Sequence, residues 1–393
     1  MRIIAGMSKR QTDGERLTWA LLACTSGGVG AAALRKLRVW LANNQLSVVD
    51  FWHKARTWGR LAGWQEKQIA AVEEMRAEWT QEKLAEYLIG QKIAVTLVED
   101  EDYPPLLKFI PDFPPVLFYR GDLKGWQRIP VAVVGTRKMT AYGEMVVRDL
   151  LSGMGDKVTI VSGMMNGVDE AAHRQAIKMG LRTAAFLGYG LAQTWPTRLA
   201  GLKEEIIEAG GVVMSEFAPW SQPVARNFPI RNRLVAGASV ATLVVEAAVK
   251  SGSLITAGLA VDYGREVMAV PGSIMSRQSE GCLELLKKGA VLVSKAEDIR
   301  EVLVQSQVLG VSGRCVQDVE ESWSNKETQR KQPKSFADIW QERVYQAIGE
   351  GVGETEVLAQ ILGDETEVLR ALSLLELLGE IEQNQQHQWQ ING

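Results

Sequence analysis

From residue 131 to residue 305, short runs of small and β-branched apolar residues alternate with segments whose apolar residues recur at helical spacing. The short apolar runs are Val131–Val134, Val158–Val161, Thr183–Leu187, Val212–Ser215, Ala241–Glu246, Glu266–Val270 and Ala290–Leu292. The helical patterns among them are Tyr142–Met154, Val168–Met179, Arg198–Ala209 and Leu254–Tyr263. This alternation predicts an α/β domain in which helices cover both faces of a doubly wound, mainly parallel sheet. Ligands of such sheets bind at the carboxyl ends of the strands.

Residues 1–90 show a different pattern, because Leu, Ala, Val and Trp recur there at helical spacing and no strand pattern interrupts them. We expect a domain of short helices. Its turn Ser26–Gly30 is similar to a helix-hairpin-helix connector, whose backbone N–H groups can meet a phosphate. A helical connector without a ligand explains the turn equally well. Residues 91–130 form a bridge to the α/β domain, and its prolines mark turns around short extended runs.

Residues 306–334 are polar and lack periodicity, which predicts a linker after the α/β domain. Residues 335–393 then hold three helical patterns and two short extended pieces. The helical patterns are Phe336–Ile348, Glu354–Ile361 and Asp364–Leu378, and the extended pieces lie around Ile381 and Ile391. Three helices followed by a small hairpin predict a winged helix.

The composition is that of an ordinary soluble protein, with 393 residues, 46% apolar and 23% charged. Lys and Arg sum to 44 and Asp and Glu to 47, so the net charge is −3. Taken alone, this balance argues against a nucleic-acid partner, which favours a basic surface. The cysteines and histidines are few and scattered: Cys24, Cys282, Cys315, His53, His173 and His387. We therefore expect a reducing, cytoplasmic location and neither a disulfide framework nor a metal site.

The segment Leu17–Cys24 bears on that expectation, because it ends in Leu-Leu-Ala-Cys like the cleavage site of a bacterial lipoprotein. The alternative is one helix of a cytoplasmic domain. Asp13 and Glu15 lie inside the supposed basic region, and Gly27–Gly30 leads into a basic helix rather than a polar mature terminus. These features favour the cytoplasmic helix. No other stretch is apolar enough to span a membrane.

The loop after the first α/β strand, Gly135-Thr136-Arg137-Lys138, places a glycine and two cations just before a helix. A glycine lets the backbone approach an anion, and the helix N-terminus adds partial positive charge. The loop matches neither Gly-x-Gly-x-x-Gly nor the nucleoside-triphosphate motif Gly-x-x-x-x-Gly-Lys-Ser/Thr. We therefore expect an anion site here, and no bound cofactor.

The loop after the second strand begins with Ser162 and Gly163 and leads to Asp169 and His173, four residues apart on one helix face. These two side chains have the chemistry of an acid/base pair. In the alternative interpretation, Asp169 caps the helix and His173 packs or bonds locally. The sequence places no nucleophile or second carboxylate at a defined spacing from them, so the structural roles are favoured.

The most informative stretch runs from Phe217 to Val240 and holds three arginines, no acidic residue and three interleaved aromatic residues. Arginines fork onto phosphates, and an exposed aromatic ring stacks on an unpaired base. A solvated basic loop with its phenylalanine packed inward is the alternative. The candidate ligands of a phosphate or nucleotide are Arg226, Asn227, Phe228, Arg231, Asn232 and Arg233. Downstream, the hydroxyls of Ser251, Ser253 and Thr256 open another helix.

Taken in order, these motifs resemble the DNA-processing protein A family (DprA, also called Smf). The motifs are Gly135-Thr136-Arg137, Ser162-Gly163, Gly167-Val168-Asp169, Ala172-His173, Ser215-Glu216, Phe228 to Gly237, Glu246-Ala247, Ser251 to Ala257 and Pro271-Gly272-Ser273. Similar motifs occur outside the core, at Tyr103-Pro104, Pro114 to Phe118, Gly28-Val29-Gly30 and Leu374 to Ile381. The resemblance thus covers nearly the whole chain.

The resemblance implies an extended Rossmann-like core, flanked by an N-terminal helix-hairpin-helix/SAM-like domain and a C-terminal winged helix. It also implies a non-catalytic homodimer that binds single-stranded DNA, protects it and loads RecA recombinase onto it during natural transformation or recombination. In this family pattern Arg137, Arg231 and Arg233 would line the phosphate pocket. Phe228 would touch a base, and Ser162-Gly163 would offer backbone N–H groups.

The chain departs from the family pattern at three places. Met165-Asn166-Gly167 stands where Ala-Arg-Gly is usual, so one positive charge is missing. Trp195-Pro196-Thr197 replaces Tyr-Pro-Lys, with Arg198 next along as a candidate substitute for the lysine. Gly281-Cys282-Leu283 stands where Gly-x-Asn is usual. These differences bear on the detailed pocket and its affinity.

Two other functions are compatible with a Rossmann-like core and a winged helix. A phosphoribohydrolase-like enzyme of a related Rossmann group would carry Pro-Gly-Gly-x-Gly-Thr followed by a glutamate, whereas Ser251–Thr256 has no glutamate behind it until Glu266. A regulator that reads duplex DNA with its winged helix would need a recognition helix that tolerates phosphate. Residues 364–382 instead hold six acids against one base, Arg370. A contact with protein therefore suits the winged helix better.

Overall fold

A nine-stranded sheet organises the first of two compact units, which divide near residue 320 in the computed structural model. The structure describes residues 13–308, 339–349, 354–377, 381–384 and 388–391. Positions outside these ranges include residues 1–12, nearly all of the predicted linker 306–334 with Cys315, the segment 378–380 and His387.

The strands match the predicted apolar runs closely, with two additions before residue 129. They are β1 (Ala94–Leu97), β2 (Val116–Gly121), β3 (Ile129–Val134), β4 (Val158–Ser162), β5 (Arg182–Phe186), β6 (Val212–Ser215), β7 (Ala241–Val244), β8 (Glu266–Ala269) and β9 (Val291–Leu292). The order across the sheet is β1-β2-β6-β5-β4-β3-β7-β8-β9. Across the sheet from β6 to β9, all neighbouring strands are parallel. The pairs β1–β2 and β2–β6 are antiparallel. The predicted α/β class with a mainly parallel sheet is confirmed.

The order of the strands places a switch point at β3, which has β4 on one side and β7 on the other. Val131 pairs with Ile160 of β4 and with Ala241 of β7. The chain builds one half of the sheet through β4, β5 and β6, and then returns across β3 to build the other half. A crevice opens outside the carboxyl ends of the strands at such a point.

Helices precede, connect and follow the strands of the sheet. In the first unit they are α1 (Asp13–Cys24), α2 (Ala31–Asn44), α3 (Val48–His53), α4 (Ala55–Leu61), α5 (Glu66–Glu78), α6 (Gln81–Gly90), α7 (Ala141–Ser152), α8 (Val168–Lys178), α9 (Ala200–Glu208), α10 (Asn227–Gly237), α11 (Gly252–Asp262), α12 (Glu280–Lys287) and α13 (Ala296–Val308). Residues 13–90 are thus helical, as their spacing predicts.

Two segments differ from the expectation. The bridge contributes β1 and β2 to the sheet edge, where Phe118 pairs with Ser215 of β6. The sequence pattern predicts no helix over the arginine-rich stretch, and this is wrong for residues 227–237, which form α10. A helical pattern is recognised by apolar residues at the buried positions. In α10 two of the buried positions are held by Arg231 and Arg233, so the pattern is not visible in the sequence.

Apolar packing holds the first unit together on both faces of the sheet. One cluster joins the N-terminal helices to the sheet and includes Trp19, Leu37, Phe51, Phe118 and Leu187. The other lies beneath α10 and α11 and includes Tyr103, Phe186, Leu234 and Ala257. Burial of these side chains is the main favourable contribution to folding.

The second unit contains α14 (Ile339–Gly349), α15 (Thr355–Leu362), α16 (Glu365–Leu377), β10 (Ile381–Gln383) and β11 (Trp389–Ile391). The two strands pair in antiparallel fashion, with Glu382 opposite Gln390. Val344, Leu358, Val368 and Leu375 are buried at the centre of the three helices. Across the described ranges of both units, no helix has the length and apolar character needed to cross a membrane.

Candidate nucleic-acid interface

A cavity of about 740 Å³ opens at the carboxyl ends of β3, β4 and β7, at the switch point of the sheet. Most of the candidate ligands named from the sequence line it. They are Gly135, Thr136, Arg137, Lys138, Gly163, Phe228, Arg231, Asn232, Ser251, Ser253 and Thr256. Loops that are far apart in the sequence therefore meet at one edge of the sheet, as the strand pattern predicts.

The loop after β3 forms the basic wall of the cavity. A Cβ on Gly135 would lie 2.8 Å from the Cβ of Val168, so the small residue lets this loop pack against the start of α8. The hydroxyl of Thr136 accepts a hydrogen bond from the backbone N–H of Lys138 at 3.1 Å. Arg137 and Lys138 are exposed. The loop thus holds its backbone rigidly and leaves two cationic side chains available to an anion.

Glu246, which follows β7, fixes the beginning of α7. Its carboxylate accepts hydrogen bonds from the backbone N–H of Thr140 at 2.9 Å and from the Thr140 hydroxyl at 2.6 Å. The same hydroxyl accepts from the N–H of Gly143 and caps α7. Glu246 is 2% exposed, so its carboxylate binds groups within the protein and is not available to a ligand.

Arg231 lies at the floor of the cavity, where it is 3% exposed. Its Nη1 donates to the carbonyl oxygens of Gly163 and Phe186, at the ends of β4 and β5. Burial raises the pKa of the Asp169 carboxyl, and the charge of Arg231 opposes that shift. Arg231 therefore ties two strand ends together and compensates a buried acid, while one edge of it faces the cavity.

Phe228 forms the aromatic wall and is covered on two sides. The guanidinium of Arg137 lies 5.7 Å from the centre of its ring, and the ring of Trp195 lies 4.9 Å away at an angle of 41°. The sequence indicated Phe228 but not Trp195 as a site residue. The substitution of Trp195 for the family's tyrosine was the available signal. Together the two rings form a surface on which a base can stack.

The N-terminus of α11 closes the cavity opposite this aromatic wall. Ser251 caps the helix through the N–H of Ser253, and the two hydroxyls lie 2.7 Å apart. Asn232 donates from its amide to the carbonyl oxygen of Gly252 at 3.2 Å, which joins α10 to α11. Lys250, which was not among the candidates, also lines the cavity and is exposed. This end of the helix offers hydroxyl groups and a positive dipole to an anion.

Five candidates do not line the cavity. Ser162 is buried and donates to the carbonyl oxygen of Val133 at 2.7 Å. Arg226 and Asn227 lie at the start of α10, and Arg198 lies in a neighbouring groove. Arg233 lies on another face of α10 from Arg231, because residues two apart on a helix do not share a face. It pairs with Glu216 and lies 3.5 Å from a carboxylate oxygen of Asp112.

Asp169 and His173 have the local roles that the structural interpretation assigned, with one correction. Gly167 is the N-cap of α8, so Asp169 does not cap the helix but accepts from the N–H of Met165 behind it. Nδ1 of His173 lies 2.7 Å from the hydroxyl of Thr183, which itself donates to the carbonyl of Ile160. Nδ1 is therefore the donor in a neutral ring. Among the described residues, no three His, Cys, Asp or Glu side chains gather into a metal-binding group.

The buried histidine makes stability depend on pH. Burial lowers the pKa of His173 from 6.5 to about 3, so below pH 6.5 the unfolded chain binds a proton that the folded chain refuses. Stability should fall by about 1.4 kcal/mol per pH unit from this residue as the pH drops from 6.5 toward 3. We expect His173→Asn, whose amide retains a donor to Thr183, to flatten this dependence. Urea unfolding of both proteins between pH 7 and pH 5 measures it, and parallel slopes would contradict the assignment.

Comparison with known proteins agrees with this geometry. The family model for DNA recombination-mediator protein A matches residues 94–304. Protein Smf of Escherichia coli is 43% identical over 206 residues, which are 52% of this chain and 55% of that protein. DNA processing protein DprA of Streptococcus pneumoniae is 39% identical over 209 residues, which are 53% of this chain and 74% of that protein.

A solved structure gives the same result at the level of the fold. The X-ray structure of DprA from Streptococcus pneumoniae has a TM-score of 0.62 and 31% sequence identity, and the match covers 74% of this chain and 98% of that one. The match to the Escherichia coli relative spans little more than half of that protein. The family model matches more than half of the present chain and includes every strand of the sheet and the whole cavity. The chain belongs to the DNA recombination-mediator protein A family.

Proposed function

We propose that the cavity binds single-stranded DNA through phosphate contacts and a stacked base. The observation that carries the proposal is the pairing of exposed cations with an aromatic wall. Arg137, Lys138 and Lys250 line one cavity with Phe228 and Trp195. None of the three cations forms an ion pair with any described residue. A single strand can offer a phosphate to the cations and a base to the aromatic wall at once, because its bases are not paired.

At the level of the whole chain, we propose a non-catalytic DNA-processing protein that acts as a homodimer. It would protect incoming single strands and pass them to RecA recombinase in the cytoplasm. Relatives named as DNA processing proteins support the DNA-processing part of this proposal. Cys24 and Cys282 are free and buried, which is compatible with a reducing compartment.

We also propose the domain boundaries that the sequence indicated. A helix-hairpin-helix/SAM-like domain would span residues 1–90, and the DNA-binding domain residues 91–305. Residues 306–334 would link it to a winged helix at 335–393. The six helices of residues 13–90 and the three helices with a two-stranded sheet after residue 338 support this division.

The test compares oligonucleotides of equal length, one single-stranded and one duplex, by fluorescence anisotropy at several salt concentrations. We expect the single strand to bind more tightly. The triple variant R137A/K138A/K250A should lose most of this affinity. The slope of the logarithm of its binding constant against the logarithm of the salt concentration should become less steep by about 0.7 for each lost phosphate contact.

The matched control is R56A/R60A/R300A, which removes three charges that lie in ion pairs on α4 and α13, outside the cavity. It should bind like the unchanged protein. Equal binding of duplex and single strand, or full affinity in the cavity variant, would overturn the proposal. Release of adenine from AMP by the purified protein would favour the phosphoribohydrolase instead.

A further inference from the structure

A second groove lies beside the cavity, on the other side of the loop after β3. It has a volume of about 360 Å³. Arg137 and Lys138 line both the cavity and this groove, so the two share one basic ridge. Arg174 of α8 and Arg198, which precedes α9, line the far side of the groove.

The ridge between the cavity and the groove is held in place from below. Gly167 has φ of +84°, a region that favours glycine, and a Cβ there would overlap the carbonyl oxygen of Thr136. The N–H of Val168 donates to that same carbonyl at 3.2 Å. The loops after β3 and β4 therefore pack backbone against backbone. This contact presents the side chains of Arg137 and Lys138 at the border of the two depressions.

The charges of the groove are not balanced. Arg137, Lys138, Arg174 and Arg198 face two carboxylates, those of Glu144 and Glu170. Arg174 and Arg198 both pair with Glu170, which is 17% exposed in its side chain, while their own side chains are 44% and 57% exposed.

Each of these two guanidiniums also has another acceptor. Nε of Arg198 donates to the side-chain oxygen of Asn166 at 2.8 Å, and Nη1 of Arg174 donates to Glu205 at 2.7 Å. Glu170 and these acceptors thus hold two arginines at the groove, and with Glu205 counted the four cations still outnumber the three carboxylates. Asn166 also has a clear role here, because it orients Arg198 where the family pattern has an arginine of its own.

We propose that this groove binds the phosphate of a nucleotide adjoining the one in the cavity, so that one single strand crosses the ridge from cavity to groove. The inference rests on the proposed function of the cavity. Each guanidinium carries a planar fork of N–H donors that matches a phosphate, and the side chains of both arginines are about half exposed. Glu170 limits the affinity of the groove, because its charge opposes that of the incoming phosphate.

The experiment uses the full chain and two oligothymidylates, one of about 3 nucleotides that fills the cavity alone and one of about 15 nucleotides. The variant R174Q/R198Q should bind the short strand like the unchanged protein. It should bind the long strand at least about ten-fold more weakly. The slope of the logarithm of the binding constant against the logarithm of the salt concentration should be less steep by about 1.4, which corresponds to two lost phosphate contacts. R56Q/R60Q, which alters two ion-paired arginines on α4, is the matched control.

The opposite change gives a second readout that structural damage cannot mimic. Glu170→Gln removes a repelling charge while Asn166 and Glu205 still hold the two arginines, so it should tighten binding of the long strand and leave the short one unchanged. Unaltered long-strand binding in both groove variants would overturn the inference, as would equal loss for both lengths in R174Q/R198Q. Absence of any single-strand binding by the unchanged protein would instead overturn the function proposed for the cavity.

Discussion

Replacing Arg231 with methionine should lower the free energy of unfolding by about 2–6 kcal/mol, because two buried carbonyl oxygens would each lose a donor at a cost of about 1–3 kcal/mol. The side chain is 3% exposed and donates to the carbonyl oxygens of Gly163 and Phe186. Methionine fills the space but leaves both carbonyls without this donor and Asp169 without its compensating charge. Urea unfolding followed by tryptophan fluorescence measures the loss.

The same variant should bind single-stranded DNA far more weakly, although little of Arg231 faces the cavity. The loop after β4 would lose its tie to α10, and Phe228 on the same helix would lose its fixed position. Arg226→Met is the control, because Arg226 is exposed at the start of α10 and does not line the cavity. It should change stability by less than about 0.5 kcal/mol. If Arg231→Met unfolds at the same urea concentration as Arg226→Met, the structural role assigned to Arg231 is wrong.

The contrast between these two arginines shows how far the sequence could specify the site. Strand ends were predictable because a buried parallel strand requires an apolar run, and β6 matches its predicted bounds at both ends. The loops that follow such strands must meet at one edge, so the grouping of Gly135, Gly163 and Ser251 followed from the pattern. The direction in which each side chain points did not follow from the sequence pattern.

Arg233 illustrates what local sequence cannot provide. The stretch from Phe217 to Val240 holds no acid, yet Glu216 lies one residue outside it and pairs with Arg233. Asp112, from the bridge, approaches from the other side. Burial raises the pKa of Glu216, and Arg233 opposes that shift. A charge in an acid-free run is thus neutralised by partners that only the fold brings near, and the net count of charges carries no such information.

Trp195 illustrates the converse case, in which a residue gains a role through the fold. The sequence marks it through the run Trp195-Pro196-Thr197, which replaces the family's Tyr-Pro-Lys, and gives no geometric role for its ring. It enters the cavity because the loop after β5 packs against the loop after β6, where the carbonyl of Pro219 accepts from the N–H of Ala192, and because its ring contacts Phe228 of α10. Trp220, which lies in the loop after β6, stacks on Trp79 of the N-terminal helices with their ring centres 4.6 Å apart. The aromatic wall is therefore supported by a part of the chain that the sequence assigned to a separate domain.

The second large effect should come from the contact that joins the N-terminal helices to the sheet edge. Arg16 of α1 and Asp100, just after β1, are 5% and 3% exposed. Two guanidinium nitrogens donate to the two carboxylate oxygens, one of them at 2.9 Å, and Nη1 also donates to the carbonyl of Val95 at 3.2 Å. Asp100 further accepts from the N–H of Leu97 at 2.8 Å. We expect Arg16→Met to cost about 3–5 kcal/mol, because it leaves a buried carboxylate without a countercharge.

A double-mutant cycle separates the uncompensated charge from the loss of packing. Asp100→Asn retains an oxygen for the N–H of Leu97 but removes the charge, so R16M/D100N should be less destabilised than the sum of the two single variants. Arg56→Met is the reference, because its ion pair with Glu73 is at the surface, with 57% of the Arg56 side chain exposed. That variant should unfold at nearly the same urea concentration as the unchanged protein. Additive effects in the cycle, or equal losses of stability for Arg16→Met and Arg56→Met, would show that Arg16 does not stabilise the buried carboxylate of Asp100.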